Sequence, residues 1–143
     1  MMKKKNRTRH DARRTAMQAV HMLDQNPDVS SEHIREFVHF ELKFPKLEVF
    51  TNELIDGVRT NRQQIDAAIS QSTENWQINR MAVVDRAILR LAAYELLFCP
   101  QTPPGVAINE ALELAKAFSA DESVSFLNGV LDRIAKKGTT AEP

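Results

Sequence analysis

The sequence has one cysteine, one tryptophan and one tyrosine among its 143 residues, and no apolar run approaches the roughly 18 residues needed to cross a bilayer. A single thiol, Cys99, excludes an internal disulfide and a thiolate-held metal cluster, and a reducing cytoplasm is the expected compartment. Pro100 follows Cys99 at a predicted helix end, with no base identifiable nearby, so the thiol reads as structural and not as a nucleophile. Met1 to Arg14 is charged and lacks the apolar core of a secretion signal, so neither export nor membrane insertion is expected. H-E-x-x-H, G-x-x-x-x-G-K-[ST], G-x-S-x-G and G-x-G-x-x-G are all missing, which removes the local signatures of the common hydrolase and nucleotide sites. His10, His21, His33 and His39 are not spaced to bring a pair onto adjacent turns of one helix, so no metal site is expected. Glu95, Glu110 and Glu113 are ordinary helical carboxylates; Glu95, beside Tyr94 at the edge of an apolar stripe, reads as an internal acceptor bonded to an amide or an arginine. No cofactor and no catalytic residue are expected, and the chain does not read as an enzyme.

What the sequence does have is helical rhythm. Hydrophobic residues are 43% and charged residues 27%, enough to fold one compact core. Strand alternation is nearly absent and apolar positions recur three or four apart, which predicts an all-α single domain of about seven helices at 12–137. A flexible basic arm is expected at 1–11 and a flexible tail at 138–143. Ala12, Ala16, Met17, Val20 and Leu23 form the first stripe, stopped by Asn26-Pro27-Asp28. Ser30 or Ser31 caps a second helix running through Phe44, and Pro45 opens a long third one carrying Phe50, Leu54, Val58, Ile65 and Ile69. A short turn near Trp76 and Ile78 leads to the central helix, with Val84, Ala87, Ile88, Leu91, Tyr94 and Phe98 inward. A sixth helix buries Ile108, Ala111, Leu112, Ala115 and Phe118. Ser119 and Glu122 have the spacing of a capping box for the seventh.

That last helix contains "SFLNGVLDR", Ser125 to Arg133, where Asn-Gly is a hairpin signal. Val124, Leu127, Val130, Leu131 and Ile134 nevertheless share one helical face, so the helical period prevails. Gly129 lies opposite that face, either because another helix packs there, the favoured reading, or because a ligand does. Phe126 stands about 90° from the centre of the stripe, beside Glu122, Gly129 and Arg133, placed to stack an unpaired base or to be covered by a loop. The formal net charge of +0 hides an asymmetry: Lys3, Lys4, Lys5, Arg7, Arg9, Arg13 and Arg14 face a single acid, Asp11, in the first fourteen residues. Such an arm suits phosphate, or is merely a solvated terminus.

"NWQINRMAVVDRAILRLAAYELL", "VAINEALELAKAFSADESVSFLNGVLDRI" and "RRTAMQAV" together resemble the NusB family of bacterial transcription antitermination factors from Arg13 to Ile134. W-x-x-x-R, V-D-R-A-I-L-R-x-A-x-Y-E-L, A-I-N-E-A-x-E-L-A-K and F-x-N-G-V-L-D follow one another in family order. The resemblance implies a NusB-like helical bundle and a non-catalytic RNA-binding factor. Its partners would be the ribosomal protein NusE, single-stranded boxA RNA of ribosomal leaders, other Nus factors and RNA polymerase. It places RNA on the arm (Lys3, Lys4, Lys5, Arg7, Arg9), on Arg13 and Arg14 of helix one, and on Phe126 with Arg133 nearby. It places the protein partner against Trp76, Arg80, Asp85, Arg86 and Arg90. The sequence departs from the family where His21 replaces a common aromatic and Ser125 a common lysine, and Asp121–Glu122 would repel phosphate near Phe126. A helical protein–protein adaptor or homodimer with a non-specific arm is the alternative.

Overall fold

A computed structural model describes residues 8–73 and 77–140, with side chains as far as 137. Among the described residues there are seven α-helices, α1 (Arg9–Gln25), α2 (Ser31–Leu42), α3 (Pro45–Thr60), α4 (Arg62–Gln71), α5 (Val83–Phe98), α6 (Pro104–Phe118) and α7 (Asp121–Thr140), with a 3-10 turn at Ile78–Arg80. None is long and apolar enough to cross a membrane. α5 is the axis: α1, α3 and α4 pack against it, as do α6 and α7. Ile88, Leu89, Ala92 and Ala93 are therefore almost fully excluded from water.

α1 begins at Arg9, three residues before the boundary expected at Ala12. The cause is a capping box. Asp11 N–H donates to Thr8 Oγ1 at 3.1 Å, and the Asp11 carboxylate accepts from Thr8 N–H at 3.1 Å, which satisfies two amides that a helix start leaves open. Burial alone would raise the pKa of Asp11, but the Thr8 hydroxyl and amide, with Arg14, outweigh it and hold the carboxyl below its ordinary value. A depressed folded pKa gives stability that is complete above about pH 4–5 and is lost as pH falls through the folded value. Asp11→Asn should therefore cost roughly 0.5–1 kcal/mol at pH 7, and the gap to the parent should close below about pH 4. Urea melts across pH test this; a gap independent of pH would show that the charge contributes nothing.

Ser30 caps α2 by accepting from His33 N–H at 3.0 Å. α2 stops at Leu42 and not at Phe44, because a residue before proline is driven into extended backbone; Lys43 turns left-handed (φ 51°) and Phe44 is extended. The expected long third helix is two helices. Asn61 leaves helical geometry (φ −107°, ψ 22°), and its Nδ2 and backbone N–H both donate to Gly57 O, at 2.9 and 3.0 Å, where α3 ends and α4 begins. Gly57 is also where Tyr94 of α5 closes on α3: a Cβ there would collide with the tyrosine ring.

The capping box expected from Ser119 and Glu122 is absent. Ser119 instead donates to Asp85 of α5, as does Ser123 at 2.8 Å, because a buried carboxylate needs donors more than a solvent-facing helix start does. Phe98 and Phe118, expected inward, are 36% and 42% exposed. Each is the final residue of its helix, where the stripe runs past the core, and Phe98 stacks on Tyr94 instead (5.7 Å between ring centroids). α7 keeps the expected stripe, with Leu127, Val130, Leu131 and Ile134 buried, and its helix continues past 137 to Thr140.

Candidate nucleic-acid interface

Lys3, Lys4, Lys5, Arg7 and Trp76 lie outside the described residues. The other predicted contact residues divide into those that face outward and those that do not. Arg9, in the first turn of α1, is exposed and lays its guanidinium over the Phe50 ring, 4.1 Å from the centroid. Arg14 is partly exposed and bonds Asp11 at 3.0 Å. His10 meets Glu110 of α6 at 2.7 Å. His10, Arg14, Gln18 and His21 are all partly exposed, and their spacing puts them in one row along α1.

Arg13 is a correction. Expected to position RNA, it is 5% exposed and donates from Nε and Nη2 to both carboxylate oxygens of Glu95, each at 2.8 Å. Burial opposes its charge, but the hydrogen bond and attraction from Glu95 outweigh that and raise its pKa. The bidentate pair satisfies two charges that the core would otherwise reject, and Glu95 is the internal acceptor its position suggested. Nearby, burial pushes the Tyr94 hydroxyl up to about 12 and also raises the Cys99 thiol. Cys99 is thus a buried, protonated thiol, as expected of a structural one.

Phe126 is half-buried and lines a groove of about 430 Å³ with Met81, Ala82, Asp85, Glu122 and Ser123. The groove is mainly apolar, with the Asp85 and Glu122 carboxylates in its lining, a surface that admits a ring face better than a phosphate. Asp85, expected against a protein partner, is occupied by Ser119 and Ser123 and fixes the α6–α7 corner to the start of α5. Arg86 and Arg90 are likewise turned inward. Arg86 reaches Asp24 at 2.7 Å, while Arg90, 3% exposed, is bidentate to Asp66 at 2.9 and 3.1 Å. Both fix α5 to α1 and α4, because arginines within a bundle need carboxylates from neighbouring helices. Arg80, in the 3-10 turn, is exposed and is the described member of that set which points outward.

Arg133 is exposed, but its Nε donates to Ser72 O at 2.7 Å, and Lys137 Nζ donates to Gln71 O at 2.7 Å. These two cations cap the C-terminal end of α4, where carbonyls lack helical partners. Gly129 is not a close-packing site. A Cβ there would meet only Arg133, at 3.6 Å, so the packing reading is overturned. Gly129→Ala should raise stability by about 0.5–1 kcal/mol in thermal or urea melts, and a loss would reveal packing that the bundle does not show.

Phe50, Asp24 and Asp66 escaped the sequence reading. Phe50 fell on an apolar stripe and gave no sign of carrying a cation. Asp66, four residues after Arg62, did carry the signal of an i,i+4 pair, and Arg62 bonds it at 3.0 Å. No group of three His, Cys, Asp or Glu side chains among the described residues is arranged to hold a metal ion.

Fold and surface together define an all-α bundle whose outward features are cations at the start of α1 and an aromatic groove between α5 and α7. The chain belongs to the NusB family, which it matches over residues 10–136. It is 43% identical to the transcription antitermination protein NusB of Geobacter sp. (strain M21), over 94% of this chain and 99% of that one. Among solved structures, NusB of T. maritima aligns with a TM-score of 0.81 at 36% identity, covering 91% of this chain and 92% of that one. A chain from a crystal structure of antitermination factors NusB and NusE in complex with dsRNA aligns with a TM-score of 0.82 at 28% identity, covering 90% and 96%.

Proposed function

We propose that this protein is a non-catalytic transcription antitermination factor that, paired with NusE, holds the single-stranded boxA element of nascent ribosomal RNA leaders. With other Nus factors on RNA polymerase it would make elongation resistant to termination. The observation that carries the reading is the likeness, over nine-tenths of the chain, to a protein solved with NusE and RNA. Arg9 and Arg14 at the start of α1 and Phe126 in its groove supply the chemistry. Outward-facing cations give salt-dependent phosphate affinity, and the face of a half-buried ring gives base stacking. Asp85 and Glu95 are ten residues apart on α5, so the Phe126 groove and the root of the arm stand about 15 Å apart along that helix, within reach of one extended strand. Arg80 and Trp76 are the residues of the 76–90 segment proposed for NusE.

Binding of a labelled boxA RNA, a scrambled RNA and a duplex competitor, across salt and with or without NusE, tests this. Tight boxA binding that NusE strengthens and scrambling abolishes is expected. Equal, steeply salt-dependent binding to all three RNAs, unaffected by NusE, would reduce the arm to non-specific charge and favour an adaptor or a homodimer.

A further inference from the structure

A second cavity lies at the root of the arm, away from the Phe126 groove. It measures about 160 Å³ and is lined by Arg9, Phe50, Glu53, Tyr94, Gln101 and Thr102, among others. Its floor is aromatic: the Arg9 guanidinium already sits over the Phe50 ring, 4.1 Å from the centroid, an arrangement that leaves the cation's outer side to a planar ligand. Its edge is acidic. Glu53 is exposed one helical turn beyond Phe50, while Glu95, which also lines the cavity, has both oxygens engaged by Arg13. A phosphate would meet the Glu53 charge, so a neutral planar group is the better guest. Burial keeps the Tyr94 hydroxyl protonated, so the wall presents no further negative charge.

We propose that this cavity takes one unpaired guanine of the bound RNA, its ring against the Arg9–Phe50 stack and its Watson–Crick edge on the Glu53 carboxylate. The inference rests on the RNA-binding reading and extends it to a nucleotide outside the segment held at Phe126. Guanine is chosen because its N1–H and N2–H point the same way and match the two oxygens of a carboxylate. Adenine and cytosine offer one amino group on that edge, and uracil one imino N–H.

The test compares a core boxA RNA with the same RNA extended at its 5′ or 3′ end by short runs carrying G, A, C or U, in the presence of NusE. For the parent protein, a guanine-bearing extension at one end should tighten binding about tenfold over the core, and more than the other bases do. Glu53→Gln should erase that preference and leave core affinity unchanged, and since Glu53 is exposed its melting temperature should match the parent. A gain that is the same for every base and vanishes with salt would assign the extension to the arm's charges and overturn the proposal. So would a guanine preference that survives Glu53→Gln, or an extension that adds nothing. If the core RNA itself fails to bind, the RNA-binding reading falls first.

Discussion

Arg13→Ala should lower the unfolding free energy by about 3–5 kcal/mol, because it leaves the Glu95 carboxylate buried with no cation. Glu95, in the last turn of α5, is 2% exposed, and both its oxygens depend on that guanidinium. The damage belongs to the unpaired charge and not to the missing contact. The double replacement Arg13→Met with Glu95→Leu should accordingly recover most of the loss, since a buried pair exchanged for apolar residues of similar size is often neutral or better. Urea titrations read this as a large fall in midpoint for the single variant and a small one for the double, with the slope unchanged. A single-variant cost under about 1 kcal/mol would mean that Arg13 swings out to solvent. The double variant should also keep its RNA affinity, which separates Arg13 from Arg9 and Arg14.

Phe126→Ala should weaken boxA RNA binding by about 1–3 kcal/mol, the range for losing one base–aromatic stack. The ring is half-buried and packs against the core, so the same change should also cost about 1–2 kcal/mol of stability, less than a fully buried phenylalanine would. Phe126→Leu separates the two effects, because it keeps most of the packing volume and removes the π face. RNA affinity should then fall nearly as far as in the alanine variant while the melting temperature stays near the parent's. An affinity unchanged in both variants would show that the groove is not an RNA contact.

Apolar periodicity carries information about one helix at a time, and that is where the sequence was legible. α1, α5, α6 and α7 were all visible as stripes, and Leu127, Val130, Leu131 and Ile134 overcame a strong Asn-Gly turn signal. What the stripes could not show was pairing between distant residues. Arg13 looked like one more cation of the arm because its partner is 82 positions away. Ser119 looked like a helix cap because Asp85 is 34 positions away. The break at Asn61 is a different failure: the apolar spacing continues across it, while Asn61 itself leaves helical geometry with its side-chain amide folded back on Gly57 O.

The caps that Arg133 and Lys137 place on α4 give α7 the character of a calibrated spacer. Phe126 and Lys137 are eleven residues apart, about 16 Å of helix, and one end of that rod lines the groove while the other grips the last turn of α4. A residue inserted between them would advance Lys137 by about 1.5 Å and swing it through about 100°, so it would release α4 or misalign the ring. Length and phase of α7 are therefore set by two surfaces at once, and neither can drift without the other.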